Sequence, residues 1–127
     1  MTNRDILQTA MRQSAIDLNC YPDDFLQYTP KIVFSVPHLE ACKYLGLSFS
    51  CNIVSYGNNV VASVNEQTAE ITRAYIEKYS VEHCFESPNL HVLNDALQAL
   101  NYRICYMAEY FLPNIDRLRP LPCDFSI

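Results

Sequence analysis

His83, Cys84, Glu86 and His91 stand within nine residues of one another. Cysteine, histidine and carboxylate are the side chains of a thiol nucleophile or of a metal site. A nucleophilic cysteine needs a base oriented by a third group in an electropositive pocket, and nothing in this spacing specifies that geometry. "EHCFE" reads as a short strand or extended link, in which His83 and Cys84 point to opposite faces. The spacing also fits no usual zinc-ligand pattern. His91 and Asn94 read as the polar edge of a helix. Tyr106, Glu109 and Tyr110 offer hydroxyls and a carboxylate that could line a cleft or an interface. Six cysteines, Cys20, Cys42, Cys51, Cys84, Cys105 and Cys123, form no C-x-x-C pair, so zinc ribbons and thioredoxin-type motifs lack their basic unit. Several lie in apolar runs such as "FSCNIV" and "RICYM", where cysteine behaves as a small buried hydrophobe. No catalytic, cofactor-binding or metal-binding residue is assigned.

A second candidate is the strand-to-helix junction inside "NNVVASVNEQTAEITRAYIEKY", residues 58–79. Such junctions hold phosphates when glycines let the backbone approach and free N–H groups and the helix dipole attract the anion. Here Val64-Asn65-Glu66-Gln67-Thr68 contains no glycine, and Gly46 and Gly57 are the only two in the chain. Asn65 is suited to cap the helix start itself. Glu66 and Glu70 place negative charge there, each worth about 0.3–1 kcal/mol to the helix and repulsive to an anion.

The elements that must position these groups follow from periodicity. Leu7, Met11, Ala15 and Leu18 predict a helix over 3–18, capped by Thr2 or Asn3 with Asp5 in its first turn. Cys20 to Pro30 is a loop, "KIVFSV" (31–36) a strand closed by Pro37, and "HLEACKYLG" a helical turn or two ending at Gly46. "FSCNIVSY" and "VVASV" form a hairpin through Gly57-Asn58-Asn59, residues that tolerate positive φ. A helix runs from Asn65 to about Tyr79. Another opens at Ser87-Pro88, serine as cap and proline first, with the stripe Leu90, Leu93, Leu97 and Leu100. "YRICYMAEYFL" (102–112) alternates as a long strand, apolar on both faces and so covered on both. The fold class is α+β, a mixed β-sheet with flanking helices in one domain over 1–112. Residues 113–127, with further prolines, read as a linker.

Composition bounds the rest. The chain has 127 residues, half of them hydrophobic and 18% charged, which suits one globular domain with its own core. A net charge of −5 leaves no basic footprint for nucleic acid. No stretch approaches the ~20 apolar residues of a membrane span. The polar, amphipathic N-terminus lacks the apolar core of a signal peptide, so a cytoplasmic protein with reduced thiols is expected.

"CNIVSYGNNVVASVN", "HCFESPNLHVLNDAL", "YMAEYFLP" and "LRPLPCDF" resemble segments of a group of bacterial GNAT-type N-acetyltransferases of roughly twice this length. The likeness runs from about Ile6 to Phe125 and is carried by whole segments, which hold no catalytic signature. It implies that the chain corresponds to the N-terminal half, a degenerate GNAT-like half-domain, with residues 113–127 leading toward a C-terminal acetyltransferase domain. In that family the acetyl-CoA pyrophosphate lies on a glycine-rich turn after the fourth strand, and the matching junction here is Asn65–Thr68. The resemblance thus implies no cofactor in this chain and acetyl-CoA in the partner half. It also implies a role for Tyr106, Glu109 and Tyr110 at an acceptor cleft or interface against that half. Alone, the chain is expected to self-associate as a homo-oligomer. A stand-alone small-ligand-binding or dimerisation module is the alternative.

Overall fold

The computed structural model describes residues 1–36, 38–41 and 49–119. Its architecture turns on one short apolar strand, Val60–Val64, all five residues of which are buried. Because successive side chains alternate, this strand feeds two cores at once. Val60, Ala62 and Val64 join one buried cluster, and Val61 joins another on the opposite face.

The strands are β1 (Lys31–Phe34), β2 (Cys51–Ser55) and β3 (Val60–Val64), in the order β1-β3-β2. β1 runs parallel to β3, with Lys31 beside Val61, and β2 runs antiparallel to it, with Ile53 beside Ala62. Helix α1 (Asn3–Leu18) covers one face, where Met11, Ala15 and Leu18 meet Phe25 and Val61. Helices α2 (Ala69–Lys78) and α3 (Ser87–Gln98) cover the other, through Tyr75, Ile76, Leu93 and Leu97. The result is an α+β fold with a mixed three-stranded sheet between helical layers, as the element order predicts. None of its described helices is long and apolar enough to cross a membrane.

Helix α1 begins as expected: the Thr2 hydroxyl accepts from Asp5 N, and the Asp5 carboxylate accepts from Thr2 N at 2.8 Å. That reciprocal pair satisfies two N–H groups that a helix start leaves open. The C-termini use asparagine where glycine is usual. Asn19 and Asn101 adopt φ of 66° and 64°. The following N–H of Cys20 reaches back to Ala15 O, and that of Tyr102 to Leu97 O, each at 2.9 Å. In a chain with two glycines, asparagine is the residue that enters the left-handed region at least cost.

In the β2–β3 hairpin only Gly57 takes a positive φ, 97°. Asn58 and Asn59 act through their side chains instead. Asn58 Nδ2 donates to the carbonyls of Leu26 and Gln27, and Asn59 Nδ2 to that of Asp24, fastening the hairpin to the 3-10 turn Pro22–Leu26.

Three expectations are corrected. Residues 102–112 form no strand: the segment is irregular, with no turn or bend assigned, and from Cys105 onward its residues are exposed. Alternation supplies a strand's side chains but not its ladder, and among the described residues no strand lies beside it. "EHCFE" is a run of turns. Helix α3 takes Ser87 as its first residue, so Glu86 holds the capping position and no side chain caps it. Residues 42–48, with Gly46, lie outside the described residues, as do 120–127.

Candidate functional site

The junction between β3 and α2 is closed by its own side chains. Asn65 Oδ1 accepts from Gln67 N at 3.0 Å and Thr68 N at 2.9 Å, and Thr68 Oγ1 lies 3.1 Å away. Thr68 Oγ1 donates to Ser50 O at 2.7 Å, and Asn65 N donates to the same carbonyl at 3.0 Å. From the α3 side, the Tyr102 hydroxyl donates to Gln67 Oε1 at 2.7 Å. Ala69 N bonds back to Asn65 O, so the helical hydrogen-bond pattern starts at Asn65 although regular α2 geometry begins at Ala69. The N–H groups of Gln67, Thr68 and Ala69, which a phosphate would need, are therefore engaged. Glu66 and Glu70 are exposed at this helix start, and Glu70 meets Arg73 at 3.6 Å. The chemistry is that of a helix cap.

His83, Cys84, Glu86 and His91 are not brought together as a nucleophile or a metal centre. His83 Nδ1 and Glu86 Oε1 lie 2.8 Å apart on the surface, and the Glu86 hydrogen bond and charge raise the imidazole pKa above its ordinary 6.5. Cys84 points the other way, into the core, and burial pushes its thiol up to about 11. Burial likewise raises Cys51, whose Sγ rests 3.3 Å from Thr72 Oγ1, and takes Cys20 to about 11. Thiols so shifted are poor nucleophiles at neutral pH. The expected opposite orientation of His83 and Cys84 holds, but a turn produces it where strand alternation was anticipated. Among the described residues no cluster of three His, Cys, Asp or Glu side chains could hold a metal ion. Asn94, read as a polar helix edge, does more: its Oδ1 accepts from Ile104 N at 2.8 Å and sets the direction in which the chain leaves α3.

Tyr106, Glu109 and Tyr110 sit on the exposed segment after α3. The two tyrosine hydroxyls are 2.8 Å apart. The segment is anchored at its far end, where Ile115 N donates to Asn3 Oδ1 and Asn3 Nδ2 donates to Asn114 Oδ1. A 3-10 turn, Ile115–Arg117, follows. This asparagine clamp between α1 and residue 114 joins positions 111 apart and had no signal in the sequence beyond the residue types.

Two of the surface clefts are lined by described residues as follows. One, of about 360 Å³, is lined by Arg12, Ile16, Asn19, Cys20, Pro22 and His38. The other, of about 230 Å³, is an apolar groove between α2 and α3, bounded by Ile71, Ala74, Lys78, Tyr79, Val92 and Ala96. Neither is lined by Tyr106, Glu109 or Tyr110. Comparison of the chain with family models, with curated proteins and with solved structures returns no match.

Proposed function

We propose that the chain is a non-catalytic half-domain of a GNAT-type N-acetyltransferase, packing on a catalytic C-terminal half and shaping its acceptor site. The observation that carries the non-catalytic reading is the Asn65 cap, whose Oδ1 takes the N–H groups of Gln67 and Thr68. A pyrophosphate at that junction would displace the cap and meet Glu66 and Glu70. The segmental resemblance supports the family. The exposed Tyr106, Glu109 and Tyr110, on a segment that leaves the core, support the contact with a second domain.

Calorimetric titration with acetyl-CoA tests the first part, with no saturable heat as the expected result. Micromolar binding abolished by substitution at Asn65 would restore a coenzyme site to this half. The second part is tested with a separately produced catalytic domain of the resembled group. Co-elution with this chain, lost on Tyr110→Asp, is expected, and independent elution counts against the reading. A stand-alone ligand-binding module is the second reading, favoured by the apolar groove between α2 and α3.

A further inference from the structure

The cleft beside the last two turns of α1 has both the room and the charge for a ligand. Its volume of about 360 Å³ lies within the range of small-molecule sites, about 300–1,000 Å³. The groove between α2 and α3, at about 230 Å³, lies below it. Arg12, Ala15, Ile16 and Asn19 follow one another at helical spacing, so one stripe of α1 faces the cleft. Cys20, Pro22 and His38 complete its described lining. In a chain of net charge −5, that lining holds an arginine and no carboxylate. Arg12 is exposed and in no ion pair among the described residues. Two neighbouring acids are engaged elsewhere: Gln13 Nε2 bonds Asp17 at 2.9 Å on the adjoining face of α1, and Lys31 pairs with Asp24 at 2.7 Å.

One wall of the cleft is fixed by hydrogen bonds. Asn19 Nδ2 donates to Phe34 O at 3.0 Å, which turns Oδ1 toward His38 Nε2 at 2.9 Å. An amide oxygen only accepts, so Nε2 carries the proton of that bond. The His38 ring is thereby held against the end of α1. Burial takes the Cys20 thiol up to about 11, so it offers neutral surface and no thiolate. Arg12 stands two turns before Asn19, about 10 Å along the axis. The negative field of the helix end is confined to the last turn. An anionic head therefore belongs at Arg12, and an apolar body toward Cys20 and Pro22.

We propose that this cleft binds a small carboxylate with an apolar body, the carboxylate on Arg12 and the body along Ala15, Ile16 and Pro22. A single guanidinium fork matches a planar carboxylate in shape and in charge, one for one. A phosphate dianion would keep an unmatched charge beside an apolar floor in an acidic chain, which is unfavourable. The site lies away from the Asn65 junction and does not rest on the half-domain reading.

Titration of the whole chain with hexanoate, followed by amide NMR, is the test. Saturable shifts are expected at Arg12, Ile16, Asn19, including its side-chain amide, and His38. Hexanamide, the neutral isostere, should bind about tenfold more weakly, since it forfeits a charge-assisted pair. Arg12→Gln should weaken hexanoate about tenfold and leave hexanamide unchanged. Because Arg12 is exposed, an unchanged urea midpoint confirms that the variant folds, and the hexanamide comparison needs no variant. Inorganic phosphate should shift these resonances less than hexanoate does. No saturable shift, shifts centred on the α2–α3 groove, equal binding of acid and amide, indifference to Arg12→Gln, or tighter binding of phosphate would each overturn the proposal. Acetyl-CoA titration is independent of all of these, so failure here leaves the half-domain reading standing.

Discussion

The Tyr75 hydroxyl donates to the Cys84 carbonyl at 2.6 Å, and both residues are buried, Tyr75 on α2 and Cys84 in the turns that lead into α3. One phenol thus fixes the distance between α2 and the entry to the next helix, while its ring packs at 4.9 Å from that of Tyr79. Burial pushes the Tyr75 pKa upward, keeping the proton that the bond needs. Tyr75→Phe keeps the ring and orphans a buried carbonyl. It should cost about 1–3 kcal/mol, the penalty for an unsatisfied buried group, read as a lower urea midpoint with unchanged slope. A loss within error would mean that water reaches the carbonyl.

Leu97 tests the packing of α3 from its other end. It is 4% exposed, and its carbonyl accepts from Leu100 N and Tyr102 N as the helix closes. Leu97→Ala should cost about 2–5 kcal/mol, as large-to-small core changes do. Val92, on the same helix but 48% exposed, should tolerate alanine within about 0.5 kcal/mol. Equal losses at the two sites in urea denaturation would mean that the buried face of α3 is misassigned.

Those leucines also show where sequence reading succeeds. Helix α1 was legible to the residue, and β1, the hairpin and the course of α3 were legible in outline, because each has a local period and local end signals. The 102–112 segment has a strand's period and no strand, because a ladder needs a second edge that no local pattern specifies. Asn65 was legible as a side-chain acceptor for the N–H groups after it, but α2 itself begins only at Ala69, with Thr68 in the capping position. The backbone tie of Asn65 to Ser50, its contact with Tyr102, and the clamp between Asn3 and Asn114 were not, since pairs so distant leave no periodic trace. Asn58 and Asn59 suggested backbone turns and proved to be side-chain donors. Both roles suit asparagine, and only tertiary context chooses between them.

His83 provides a pH handle on the same turn. Its hydrogen bond and charge interaction with Glu86 raise the folded-state pKa above 6.5. A raised pKa in the folded state means that the pair's contribution is fully present below the unfolded value and is lost as pH rises through the folded one. Both partners are exposed, so the stability effect is small. The titration itself is the sharper readout. The His83 imidazole resonance should move with a midpoint above 6.5, and Glu86→Gln should lower that midpoint. A midpoint indifferent to Glu86 would show that the pair does not persist in solution.

The Asn65 cap carries the functional argument, so its chemistry can be dissected by substitution. Its Oδ1 serves Gln67 N and Thr68 N, while Nδ2 makes only a long contact of 3.4 Å with the Tyr102 hydroxyl. Asn65→Ala removes the acceptor and should cost about 0.5–2 kcal/mol. Asn65→Asp keeps an acceptor in the same place and adds a negative charge at a helix start, where charge of that sign is favourable. It should therefore stay within about 1 kcal/mol of the parent protein. Asn65→Gly is the informative third case. It frees the two N–H groups and supplies the glycine that phosphate-binding turns use, yet Glu66 and Glu70 remain on the same helix start. The variant should fold, with a few tenths of a kcal/mol lost relative to Asn, and should still show no calorimetric binding of inorganic phosphate or acetyl-CoA. If phosphate binds Asn65→Gly, the cap alone was the barrier, and the acidic residues do not exclude the anion. If Asn65→Asp is as damaging as Asn65→Ala, the stabilising feature is the amide's contact with Tyr102, and the hydrogen bonds accepted by Oδ1 are secondary.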